Sequence, residues 1–199
     1  MHLNSFQKFC ITVLVLFIGL FSFAESIEDR QMTGQYIGGM IGAARISHDI
    51  PSNNTVSYGP YFSAIFGYDW SISQNDKLLL GIEVSPAYSS QYYNADDNDV
   101  ATDRSEINLP ILMTGTYILT NGVNFSLKGG LAFQTEFDSS SSATFENSGW
   151  HPVIAGKIGY LVKKNVNIFA QYMYIFNQSL FNNNNMSSNF IALGVLVNL

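Results

Sequence analysis

The sequence is short of charge. Only 12% of its 199 residues are Asp, Glu, Lys or Arg, against the ~25% usual in soluble domains. A disordered chain needs the reverse, high charge with few aromatics. Here 47% of residues are hydrophobic and 14% aromatic, so disorder is excluded. Basic residues are scarcest, nine Lys plus Arg against fifteen Asp plus Glu, which excludes the basic face that nucleic-acid binding needs. Cysteine is almost absent. Cys10 is the only one and falls in an N-terminal apolar run, so this is not a disulfide-stapled secreted domain. Beyond residue 24 no apolar run reaches the ~20 residues of a helical membrane span. No amphipathic helix is convincing either.

The N-terminus has the composition of a secretory signal peptide over residues 1–24. Lys8 supplies the positive charge, Phe9 to Leu20 is nearly unbroken apolar sequence, and Ser22-Phe23-Ala24 places small residues before an expected cut after Ala24. The apolar run is shorter than a membrane anchor requires. Residues 25–33 are expected to be a short periplasmic segment, and 34–199 the folded domain.

What fills that domain is alternation with a period of two, the signature of strands. In 77–88, Leu78, Leu80, Ile82, Val84, Pro86 and Tyr88 share one face, and Leu79, Gly81, Glu83, Ser85 and Ala87 the other. The same split recurs over 61–70, 106–117, 123–137, 153–162, 166–176 and 189–199. A first strand near 35–45 is so rich in glycine that its facing stays ambiguous. Eight strands of about 10 to 13 residues result. A globular strand averages ~5 to 6, whereas a tilted strand crossing a bilayer needs ~9 to 11.

Connections alternate in length. Residues 71–76, 119–122 and 163–165 are short, while 48–57, 91–105, 138–149 and 177–188 are long and polar. Outer-membrane barrels have this asymmetry, with short turns on the periplasmic side. The predicted fold is therefore all-β: an eight-stranded antiparallel up-and-down transmembrane β-barrel with four long extracellular loops.

Charge separates the two faces but leaves open which is inside; the size of the polar-face residues and the placing of the aromatics decide it. In the seven strands with clear facing, the apolar face carries no Lys, Arg, Asp or Glu, while the other carries Asp69, Glu83, Glu106, Lys128, Glu136 and Lys157. The polar face is rich in residues small enough to fill a narrow eight-stranded lumen. Aromatics of the apolar face gather at its two ends, as interfacial girdles do. Tyr68, Trp70, Tyr117 and Tyr160 lie near the short turns, and Phe62, Tyr88, Phe137, Tyr172, Tyr174 and Phe176 toward the long loops. Unpaired charge in a packed lumen is costly. A network is expected in which Glu83 lies between or beside Lys128 and Lys157, with Glu136 and Asp69 nearer opposite mouths.

The chain resembles the OmpA-like and opacity-protein-like outer-membrane barrels of Gram-negative bacteria. GQYIGGMIGAA, LGIEVSPAY, INLPILMTGTY, IAGKIGYLVKKNVNIFAQYMYIF and FIALGVLVNL carry the resemblance, which covers 34–199. One departure is the last residue: such barrels usually end in an aromatic, and here Asn198 and Leu199 stand there. The resemblance implies a surface protein of the bacterial outer membrane that contacts other surfaces, adheres or supports the envelope. Other readings are a narrow porin-like channel and a lipid A-modifying enzyme.

Chemistry is sparse. In Ser187-Ser188-Asn189 the His that a lipid A deacylase of this shape would carry is replaced by Met186. Histidines His48 and His151 stand apart, and both read as polar loop residues. The acidic run Asp96, Asp97, Asp99 and Asp103 lacks the Gly and final Glu of a calcium loop. No catalytic residue, cofactor or metal is expected, and the partners expected are the lipid bilayer and surfaces met by the loops, with the protein a monomer. The folded protein should partition with outer-membrane vesicles and migrate differently on a gel before and after boiling. Recovery in the soluble periplasm would refute the barrel.

Overall fold

A computed structural model of the chain describes residues 32–47, 58–73, 77–94, 101–138, 145–176 and 187–199. The expected signal peptide and most of the long connections lie outside them. The strands are β1 (Gly34–Ser47), β2 (Gly59–Ser71), β3 (Leu78–Val84), β4 (Ala87–Asn94), β5 (Ala101–Ile118), β6 (Val123–Asp138), β7 (Phe145–Lys163), β8 (Val166–Ile175) and β9 (Ser187–Asn198). Among the described residues every pairing is antiparallel, and β1 pairs with both β2 and β9, so the sheet closes on itself.

Nine strands occupy eight places in the wall. β3 and β4 are halves of one strand, each set between β2 and β5. The break falls at Ser85–Pro86, because proline has no N–H to give the ladder. Register does not slip across it, from Phe66↔Val84 to Ser63↔Ala87. Neighbouring groups restore the bonding: Ala64 N donates to Pro86 O at 3.0 Å, and Ser85 N to Pro110 O at 3.1 Å.

Several strands overrun the expected bounds, β5 and β7 the most. β5 has 18 residues and β7 has 19. Gln91 to Asn94, Ala101 to Ser105, Asp138, Phe145 to Gly149 and Ser187 to Ser188 are strand where loop was expected. At ~3.4 Å per residue, 18 residues are far longer than the bilayer core, so the wall rises out of the membrane on the long-loop side. The opposite end is closed by tight turns. At Asn121-Gly122, Gly122 adopts a φ of 87°, which only glycine takes without strain. The Asn121 side chain accepts from Val123 N at 3.2 Å.

Burial follows the alternation. Tyr61, Ser63, Ile65 and Asp69 point inward from β2, while Phe62, Phe66, Tyr68 and Trp70 are exposed. β1, ambiguous in sequence, turns Tyr36, Met40 and Ala44 inward and Ile37 and Ile41 outward. The exposed wall is a band of Ile, Leu, Met, Val and aromatic side chains. A soluble monomer rarely exposes a contiguous apolar patch beyond a few hundred Å2, so the solvent of this wall is lipid.

One girdle residue departs from its expected place. Tyr160 is only 5% exposed, and Gly159, Tyr160 and Leu161 are all buried. The pairings of Tyr160 with Val123 and Ile168 are in register, and Ile158 and Val162 on the same face are exposed, so Tyr160 keeps its face and is covered there by neighbouring groups. Tyr68, Trp70, Tyr117, Phe62, Tyr88, Tyr172 and Phe176 are exposed, and Tyr174 is half-buried. The Phe137 side chain lies outside the described residues.

Leu131, at the centre of β6, is exposed to lipid, and Leu119 follows β5 at the turn end. Leu131→Arg should lose ~2–4 kcal/mol and Leu119→Arg at most ~1 kcal/mol, by denaturant unfolding in lipid vesicles. Equal losses would contradict this depth assignment.

Candidate functional site: the lumen

Seven wall strands aim polar side chains at the middle of the barrel. Glu83 of β3 and Lys128 of β6 meet there. Lys128 Nζ donates to Glu83 Oε1 at 2.6 Å and Oε2 at 2.8 Å, and to Gln171 Oε1 of β8 at 2.7 Å. Tyr36 OH of β1 donates to Glu83 Oε2 at 3.1 Å. Both charged side chains are fully buried. A buried ion pair is tolerated when its remaining hydrogen-bonding capacity is filled, which Gln171 and Tyr36 do.

Lys157 of β7 does not join that contact. Its Nζ stands 5.5 Å from the centroid of the Phe169 ring, a cation–π distance. Asp69 of β2 is buried and accepts from Thr114 Oγ1 of β5 at 3.1 Å. The structure therefore joins Glu83 to Lys128, places Lys157 on an aromatic face, and ties Asp69 to a threonine. The Glu136 side chain lies outside the described residues.

Space for these groups comes from glycine. A Cβ at Gly67 would strike the Tyr36 ring, and one at Gly194 would strike the Phe169 ring. Each of these rings thus lies over the glycine directly opposite it on the neighbouring strand.

Further polar tiers lie above and below. Toward the long loops, Glu106 Oε1 accepts from Gln134 Nε2 at 2.7 Å and Asn108 Nδ2 at 3.0 Å, and its Oε2 accepts from Ser188 Oγ at 2.9 Å. Toward the turns, Asn124 and Asn167 bond each other at 3.1 Å, and Thr116 bonds Ser126 at 2.7 Å. Met32, Leu79, Ile118 and Leu161 form an apolar cluster near that end.

His151, expected as a polar residue of a loop mouth, is instead fully buried inside β7, with Nδ1 3.1 Å from Phe176 O. Ser188 faces the lumen and Asn189 the outside, so the two do not share a site. Among the described residues no group of three His, Cys, Asp or Glu side chains is placed to hold a metal ion.

Tyr36, Gln171, Thr114 and the partners of Glu106 were not singled out by sequence. Inward facing was readable for all but Tyr36 and Ser188, the latter lying in an expected loop. Partnership across the lumen depends on closure, which alternation does not encode.

No protein-family model and no curated protein sequence matches the chain. Solved structures do. Neisserial surface protein A is 17% identical with a TM-score of 0.59, over 84% of this chain and 98% of that one. Ail, the attachment invasion locus protein of Yersinia pestis, solved with the heparin analogue sucrose octasulfate, is 13% identical with a TM-score of 0.55, over 83% and 99%. At these identities what is shared is the fold. The molecule is a closed, lipid-facing barrel of the bacterial outer-membrane class.

Breaking the central pair from one side leaves an uncompensated buried charge. Glu83→Gln and Lys128→Met should each lose ~3–5 kcal/mol of stability, and the double variant clearly less than their sum. Additive losses in a double-mutant unfolding cycle would mean that the two groups are not coupled.

Proposed function

We propose that the protein is a non-catalytic surface interaction protein of the outer membrane, whose barrel is the anchor and whose loop end makes the contacts. The observation that carries this reading is the filled lumen. Side chains from seven of the eight wall positions meet at mid-barrel, which favours anchoring over transport.

Composition of the connections gives the partner its chemistry. Residues 48–57, 91–105, 138–149 and 177–188 together carry seven acidic residues against one arginine, Arg104. The strand ends they join all lie at one end of the barrel, since consecutive strands run antiparallel. A partner with a basic surface fits this rim, and steering between opposite charges raises the rate of encounter. A polyanion such as the heparin analogue bound by Ail does not fit it. The protein acts as a monomer in this reading.

The test is adhesion of cells displaying the protein to polylysine-coated and heparin-coated surfaces. Attachment to polylysine should exceed attachment to heparin and weaken with salt. Changing Asp96, Asp97 and Asp99 together to Asn should lower it several-fold while the gel-mobility signature of folding persists. Unchanged adhesion would overturn the reading. Large, steady conductance in planar bilayers would replace it with the channel.

A further inference from the structure

One charged side chain faces the wrong way for the lumen. Arg45, near the loop end of β1, is exposed on the outward face, the side bathed in lipid. Among the described residues no carboxylate pairs with it. Its register partner across the β1–β9 seam is Asn189. Tyr172 OH of β8 donates to Asn189 Oδ1 at 2.7 Å. With the amide oxygen taken by tyrosine, the Nδ2 donors of Asn189 remain, on the residue directly opposite Arg45 in the ladder. Hydrogen-bond donors and positive charge thus meet at the level where the outer wall leaves the bilayer.

Lower on the wall an apolar groove crosses these strands. Gly39 and Ile41 of β1, Leu193 and Val195 of β9 and Ile168 of β8 line it on this side, and it continues across β2, β4 and β5. Gly39 is paired with Val195, and Ile41 with Leu193. Gly39 contributes no side chain, so the wall is indented between its larger neighbours. Gly39 lies six positions along β1 from Arg45, ~20 Å on an extended strand, room for an extended acyl chain beneath a headgroup.

The geometry points to a specific lipid site on this seam, which takes a phosphorylated, acylated lipid of the lipid A type from the outer leaflet. The phosphate sits on Arg45 and Asn189, and one acyl chain lies in the groove over Gly39. Arginine suits this role because its planar fork meets two phosphate oxygens at once, and it keeps its charge in an apolar setting. The site lies on the barrel's flank, apart from the loop end, so it stands whatever the loops bind.

The protein is reconstituted in phosphatidylcholine nanodiscs and titrated with bisphosphorylated lipid A or its dephosphorylated form, with retained lipid read by native mass spectrometry. Wild type should retain the phosphorylated form at least tenfold better. Arg45→Ala and Asn189→Ala should remove most of that preference, while Arg45→Lys, which keeps charge but loses the fork, should keep part of it. Gly39→Ile, which fills the groove, should lower retention of both forms. Equal retention of the two forms by wild type would overturn the site, as would an unchanged preference in Arg45→Ala. Displacement of the lipid by millimolar inorganic phosphate would also overturn it, since a site that reads the headgroup alone has no use for the groove. Dimers that bury this seam would overturn it in favour of a second copy.

Discussion

Hydrocarbon offers no partner to a backbone N–H or C=O. A strand that crosses it must bond to a neighbour on each side, and only a closed sheet has neighbours for every strand. The β1–β9 seam, running from Tyr36↔Asn198 to Ser47↔Ser187, is therefore the contact on which the rest depends. It also tolerates little bulk. A Cβ at Gly38 would strike the Val195 backbone, and one at Gly42 that of Ile191. Both glycines turn toward the lumen on β1, the strand that takes β9 on one side and β2 on the other.

Closure with the apolar face outward forces the polar face in. A soluble protein can leave a lysine in water, but Lys128 has no water to reach. Glu83, Gln171 and Tyr36 supply its surroundings, from strands β3, β8 and β1. The lumen is then organised by hydrogen-bond capacity rather than by hydrophobic packing alone. Apolar side chains such as Phe169, Met173 and Phe190 fill the gaps between polar tiers. Some capacity is left over near the loops, where Tyr61 OH, Ser89 Oγ and Asn108 Oδ1 have no partner among the described residues. Orphaned buried groups cost stability, and among the described residues these lie mostly toward the loops.

Alternation made most of the wall legible. It assigned the facing of β2 through β9 because each strand carries enough large apolar residues on one side to contrast with the other. β1 failed that test for a physical reason. Gly34, Gly38, Gly39 and Gly42 have no side chain to bury or expose, and the facing emerged only from Tyr36, Met40 and Ala44. Strand ends were missed where the wall leaves lipid, since beyond the bilayer both faces are polar and the contrast fades. Tyr160 was expected to be exposed and is covered, because periodicity gives the face a side chain takes and not what lies over it. In the lumen, inward facing was readable for Glu83, Lys128 and Lys157, but the choice between them was not. Which lysine reaches Glu83 depends on side-chain length and strand stagger in three dimensions. Phe169, one strand over, gave Lys157 an alternative seat.

The same physics explains why the fold says little of the role. Neisserial surface protein A shares this architecture at 17% identity, because the bilayer selects a pattern of apolar and polar positions rather than particular residues. Residues that satisfy the pattern are interchangeable among many barrels, so they carry no message about partners. The informative residues are those the pattern does not require. Acidic side chains at the loop end are of that kind, and so is Arg45, a cation on a face where alternation asks for leucine or valine. Neither helps the barrel to close or fills its lumen.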